Sequence, residues 1–295
     1  MKLRKLVSTA CDKESFMRLE DYIHFALYYL EFIKTNLQAV IVSRNEHHYQ
    51  FFQYKDDGTY NVTRPINSNL MYDYEIFEQN SREFLKILPD ITNYDSLERR
   101  IIVNRVIYTA QQCIGAALDA LPATKSNTAR KINGDLFERF IRMIIAAIGI
   151  EVTEGTVSVP VKIDGETAFN MNYQHDLIIR SDGETKAIGS VKTSSKDRID
   201  KIFIDKFLYS KLTDTSTPHF AVFLNDVQRK GKDGKYGINT TFLAGHFKGY
   251  TIKLTPLDGV YYCDIRPNML SEKILKDHIK TFDHFVFNDV WNFFK

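Results

Sequence analysis

The chain has 295 residues and a formal net charge of only +2, with 44% hydrophobic and 26% charged side chains. This is the balance of a folded globular protein; it excludes a disordered chain and a polycation, so any polyanionic partner must meet positive charge that is concentrated locally. No stretch approaches the roughly 18 uninterrupted apolar residues of a membrane span, and the opening MKLRKLVSTACDKESF carries basic residues without the apolar core of a secretion signal.

From Lys13 to about Val42, apolar residues recur at helical spacing, as in Phe16, Leu19, Ile23, Ala26, Leu27, Leu30 and Ile33. The segment from His48 to Val62 alternates instead and contains the turn signal Asp56-Asp57-Gly58, which predicts a small hairpin. Helical spacing returns near Tyr72–Leu88 and over Asp95–Leu121, and ends at Pro122. The polar run ATKSNTARKINGD then reads as a loop or domain junction, so residues 1–130 are expected to form a mainly helical N-terminal region and residues 131–295 a second unit.

Beyond the junction, Asp135–Ile148 is amphipathic, with Leu136, Phe137, Phe140, Ile141, Ile144 and Ile145 on one side. Strand-like runs follow at Thr156–Ile163, Phe169–Arg180 and Thr185–Thr193; the turn SDGE joins the last two into a hairpin. Asp197–Leu212 is helical again, and His219–Leu224 reads as a buried strand. The order predicts an α/β (α+β) fold, a central mixed β-sheet flanked by helices. Thr251–Leu254 and Val260–Ile265 read as further strands, and Ser271 to the end as helix.

Cys11, Cys113 and Cys263 are odd in number and scattered, which supports neither a disulfide framework nor a zinc site and fits a reducing cytoplasm. No phosphate-cradling glycine-rich loop and no G-x-S-x-G elbow is present. His47 and His48, adjacent in a polar stretch, read as exposed.

The informative window runs from His175 to Asp205. Asp176 interrupts an apolar strand in QHDLIIR, and Lys192 lies on the next strand in AIGSVKTSS. A tight hairpin brings its strands about 5 Å apart, so the two can meet at one sheet edge. Their even separation does not settle their faces, because a bulge can intervene. An aspartate that can hold Mg²⁺ beside a lysine that steadies negative charge suits phosphodiester hydrolysis. Between Lys186 and Lys206, six basic side chains stand against three acidic ones, an excess larger than that of the whole chain. The run Arg229–Lys235 adds a basic loop that could enter a DNA groove or simply be solvated.

These residues resemble the PD-(D/E)xK nuclease superfamily, and within it type II restriction endonucleases. Asp176 matches the first acid and Lys192 the lysine, while His175 replaces the usual proline and Ser190 stands where an acid is usual. One branch of these enzymes carries S-x-K and moves the second carboxylate to the following helix; Asp205, thirteen residues past Lys192, matches that position. Asp200 competes with it. The resemblance implies a restriction-endonuclease-like core, with Asp176 and Asp205 as Mg²⁺ ligands and Lys192, Ser190 and Glu138 completing the catalytic set. It also implies that Lys196, Arg198 and Lys201 contact the phosphate backbone of double-stranded DNA. For Glu138 the plain alternative is a helical pair with Arg142, and for Asp205 a helical pair with Lys201.

The expected activity is therefore that of a site-specific deoxyribonuclease of a restriction-modification system, acting as a homodimer, or as one nicking subunit of a heterodimer if the target is asymmetric. Two other readings stand beside it: a DNA-binding protein on a degenerate nuclease fold, favoured by Ser190, and a repair nuclease that reads DNA structure.

Overall fold

The computed structural model describes residues 2–195, 198–230 and 236–295. Helix α1 (Leu3–Cys11) precedes α2 (Leu19–Asn36), whose start is closed by Asp21: its carboxylate accepts the N–H groups of Met17 and Arg18 at 3.0 and 2.8 Å. The helix predicted to reach Val42 stops at Asn36. Leu37–Val42 is strand β1, its exposure alternating residue by residue, because LQAVIV is rich in β-branched side chains and pairs with β2 (Tyr49–Tyr54). A short β3 (Ile66–Asn67) completes this three-stranded sheet, and Gln53 bridges to Val62 beyond the predicted turn.

Helices α3 (Tyr74–Ile87) and α4 (Leu97–Leu118) begin at side-chain caps from Asp73 and Ser96. From Ile102 onward α4 is almost wholly buried, which makes it the central helix of the molecule. Helix α5 runs from Ser126 to Ala147. The polar run from Ala123 is therefore a short 3-10 turn (Ala123–Lys125) followed by the first turns of this helix, and part of its polarity has another cause, described below with the cleft.

Next come β4 (Val152–Ile163), β5 (Glu166–Ser181) and β6 (Glu184–Ser194), then α6 (Ile199–Thr213) and β7 (His219–Asn225). A hairpin of β8 (Val227–Lys230) and β9 (Gly237–Thr240) leads to α7 (Ala244–Lys253) and β10 (Gly259–Tyr262). Residues 251–253, expected as strand, are the last turn of α7; four residues are too few for their spacing to separate the two states. The chain closes with α8 (Lys273–His278), β11 (Ile279–Thr281) and α9 (Phe282–Phe287), so the predicted C-terminal helix is broken by a short strand.

The main sheet has six strands in the order β11-β10-β7-β6-β5-β4. The pairs β4–β5 and β5–β6 are antiparallel, whereas β6–β7, β7–β10 and β10–β11 are parallel, so the sheet is mixed as expected. Strand β7 is buried along its whole length and divides its side chains between two layers. Phe220, Val222 and Leu224 join the core shared with α4 and α5, while Ala221 and Phe223 join Phe203 of α6 and Phe247 of α7. Helices thus cover both faces. The first of these cores also takes in α1, α2 and α3 and runs unbroken across residue 130.

Candidate active site

Asp176 owes its position to a bulge. Thr153 pairs with Ile178 and Gly155 with His175, so Glu154 faces two residues of β5, Asp176 and Leu177. The extra residue reverses the alternation of the strand. Tyr173, before it, packs with Val159, Ile188 and Tyr209, whereas Leu177 and Ile179, after it, enter the opposite core. On the other side, the β5–β6 pairing ends at Leu177–Gly189. Where the ladder stops, the Asp176 Oδ2 accepts the Val191 N–H at 2.8 Å.

The same oxygen accepts Lys192 Nζ at 2.5 Å, and Nζ also donates to Glu138 Oε1 on α5 at 2.8 Å. One ammonium therefore joins two acids from two elements. Burial alone would push Lys192 down, but the charges of Asp176 and Glu138 outweigh it and hold the ammonium above the ordinary lysine value. Glu138 is raised, by burial first and by Asp176 second, with Lys192 opposing. The plain alternative for Glu138 does not hold: Arg142 pairs instead with Glu154.

Ser190 lies two residues before Lys192 on the same face of β6. Asp205, on α6, is ion-paired with Lys201, as the plain reading of that pair has it, and does not touch Lys192. It is nevertheless close to the centre electrostatically, since the imidazole of His175 feels both Asp205 and Asp176. His175 is 7% exposed, its Nε2 has no hydrogen-bond partner among the described residues, and burial lowers its proton affinity against the pull of the two acids. Asp200 lies instead beside His246. Arg198 is the residue before α6 and is exposed; Lys196 lies outside the described residues. Lys206 leaves the basic window: it is buried, and Nζ donates to Asp258 and to the Pro256 carbonyl, both at 2.6 Å.

Among the described residues no group of three or more His, Cys, Asp and Glu side chains gathers as a metal cage. The oxygen donors nonetheless suit Mg²⁺, which takes one or two carboxylates and keeps its waters. Asp176 and Glu138 already converge on a single positive charge, which is the electrostatic demand a divalent ion meets.

A cleft of about 950 Å³ opens beside this centre. Thr193 and Ser194, which follow Lys192 on β6, line it together with Arg198 and with Arg229 of β8. Arg64 and its neighbours, and Ser126, Arg130 and Asn133 of α5, line it as well. The polar start of α5 thus borders the cleft through Ser126, Arg130 and Asn133, while Ala129 and Ile132 of the same turns enter the main core. Sequence reasoning missed Arg64 and Arg130. Their signal was an arginine set in a polar stretch, which looks the same in any loop.

A mixed sheet covered by helices on both faces, with an acid, a lysine and a second acid meeting at the end of its antiparallel hairpin, is a restriction-endonuclease fold. Comparison with solved structures bears this out: 99% of this chain aligns with 97% of the type IIP restriction endonuclease Kpn2I, at a TM-score of 0.74 and 20% identity. A second alignment, with restriction endonuclease PspGI in its complex with substrate DNA, covers 74% of this chain and 91% of that one at a TM-score of 0.44 and 14% identity, too loose to bear on the fold. No family profile and no curated protein matches the sequence. No helix among the described residues is long and apolar enough to cross a membrane.

Proposed function

We propose that this chain is a Mg²⁺-dependent type II restriction endonuclease that cuts double-stranded DNA at a specific sequence. The observation that carries the reading is the Lys192 ammonium held between Asp176 and Glu138 beside a cleft with four arginines in its lining.

Asp176 supplies one carboxylate to the ion. Asp205 supplies the second, as the S-x-K pattern implies, and Glu138 is its competitor because it shares Lys192 with Asp176. When bound, the ion lowers the pKa of a water and neutralises charge on the phosphate. Lys192 stays an ammonium at neutral pH, so its part is electrostatic: it steadies negative charge building on the scissile phosphate rather than removing a proton. Glu138 orients that ammonium. Ser190 can add a hydroxyl at the same edge. Arg198 holds the DNA backbone at the cleft, Lys196 shares that role as the resemblance implies, and Lys201 joins when its pairing with Asp205 opens.

Cutting both strands calls for two such centres, so two copies acting on one duplex follow from the same reading. The N-terminal region and the segment after Leu224 supply the remaining walls of the cleft and the subunit contact. Residues 1–130 are proposed as the recognition and dimerisation part, and residues 131–295 as the nuclease core with its C-terminal extension, acting in the cytoplasm.

Incubation of plasmid DNA with the purified protein and Mg²⁺ tests this. Discrete fragments with constant ends are expected. A gel shift without cutting would show a binding protein on a nuclease scaffold, cutting only at junctions or flaps a repair enzyme, and a single nick at a fixed site one half of a heterodimer.

A further inference from the structure

We propose that Arg64 is a specificity-determining residue that reads the major-groove edge of a guanine; this rests on the DNA-cutting reading above. Arg64 lines the same cleft as Thr193 and Ser194, which follow Lys192 on β6, so a duplex that reaches Lys192 through this cleft would pass Arg64. Its guanidinium is fixed before any duplex arrives. Asp119, which caps the C-terminal end of α4, accepts Nε through Oδ2 and Nη2 through Oδ1, both at 2.9 Å, and Oδ2 also accepts the Arg64 backbone N–H at 2.6 Å. Gly115 leaves it room, since any side chain there would overlap the guanidinium. The side chain is 20% exposed.

Charge and geometry together select a base over a phosphate. Asp119 neutralises Arg64, so this residue adds little to the counterion release that dominates backbone contacts. Arg130, Arg198 and Arg229 line the same cleft and form no ion pair among the described residues; they are the backbone contacts. What Arg64 retains is direction. Asp119 occupies the Nε side of the fork, which leaves Nη1 and the second Nη2 hydrogen as a parallel pair of donors. That pair matches the O6 and N7 acceptors of guanine. Arginine suits the task and lysine does not, because only the planar fork can serve Asp119 and a base at once.

The test uses the full chain. Fragment ends from Mg²⁺ digestion give the wild-type target; duplexes carrying it are then made with 7-deazaguanine at one guanine at a time, and binding is followed by fluorescence anisotropy in Ca²⁺ across a salt series. One guanine is expected at which the loss of N7 weakens wild-type binding about 10–100-fold and weakens Arg64→Lys no further. Arg64→Lys is expected to bind unrelated duplex as the wild type does, with the same salt slope. Asp119→Asn frees the arginine's charge, so its binding to unrelated duplex should tighten and its salt slope steepen, a gain that misfolding cannot produce. Unchanged target choice in Arg64→Lys overturns the assignment. So does a uniform loss on all duplexes with a shallower slope, which marks a phosphate clamp, or a lowered melting temperature with discrimination intact, which marks a structural pin. Wild-type protein that neither shifts nor cuts DNA removes the endonuclease reading itself; discrete wild-type cutting with unaltered choice in Arg64→Lys removes this assignment alone.

Discussion

Lys192 and Glu138 are 54 residues apart in sequence and 2.8 Å apart in space. That contact ties the hairpin to helix α5 and, through the other hydrogen bond of Nζ, to Asp176. The chemistry proposed here depends on this three-way junction.

Asp176→Ala and Lys192→Ala are each expected to lower cutting by roughly 10²–10³-fold or more, since each removes charge stabilisation from the reacting phosphate. Specific binding in Ca²⁺ should stay largely intact. Plasmid cutting and anisotropy on the same preparations check both halves, and wild-type rates in either variant would remove the assignment.

The second carboxylate can be located by Mg²⁺ titration. Asp205→Asn is expected to raise the Mg²⁺ needed for half-maximal cutting about 10–100-fold, whereas Glu138→Gln should lower the rate at saturating Mg²⁺ with little change in requirement. The reverse pattern would place the ligand on α5, and loss confined to Asp200→Asn would place it one turn earlier on α6.

Gly189 sits on β6 where any side chain would overlap the Phe220 ring and crowd Leu177. Gly189→Ala should cost about 1–3 kcal/mol through overpacking, read as a lower urea midpoint. A midpoint equal to wild type would mean that Phe220 can move aside freely.

Two buried groups shape the acid side of the stability profile in opposite directions. Burial raises Asp264 from 3.8 to about 6. The folded state then keeps its proton longer than the unfolded chain, so this contribution is full below pH 3.8 and falls as pH rises to about 6. Burial lowers His219 from 6.5 to about 4, so its contribution is full above pH 6.5 and falls as pH drops towards 4. Each shift corresponds to about 3 kcal/mol. Urea unfolding between pH 4 and 7 should show the wild type losing ground to Asp264→Asn as pH rises, and to His219→Asn as pH falls.

The hairpin, the helix after it and the buried strand β7 could be read from turn residues and apolar spacing, because each is a local pattern. The pairing of Asp176 with Lys192 was likewise open to inspection, although the bulge that aims Asp176 was not: one surplus residue changes faces without changing composition. Leu37–Val42 was misread because a run of apolar residues next to a helix carries no period of its own. The start of α5 was hidden for the opposite reason. Ser126, Arg130 and Asn133 line the cleft, and polarity in sequence does not distinguish a cleft wall from a loop. The Glu138–Lys192 contact is tertiary, and spacing alone favoured Arg142 as the partner of Glu138.

Helix α5 is one uninterrupted rod from Ser126 to Ala147. Arg130 near its start lines the cleft, and Glu138, eight residues on, grips Lys192; the two are about 12 Å apart along a single axis. Any tilt imposed where a duplex presses on the first turns is carried to the far end in lockstep. On the proposed reading, a duplex that presses on Arg130 acts on the same rigid element that holds the Lys192 ammonium, so the seating of DNA and the alignment of the site would share one lever.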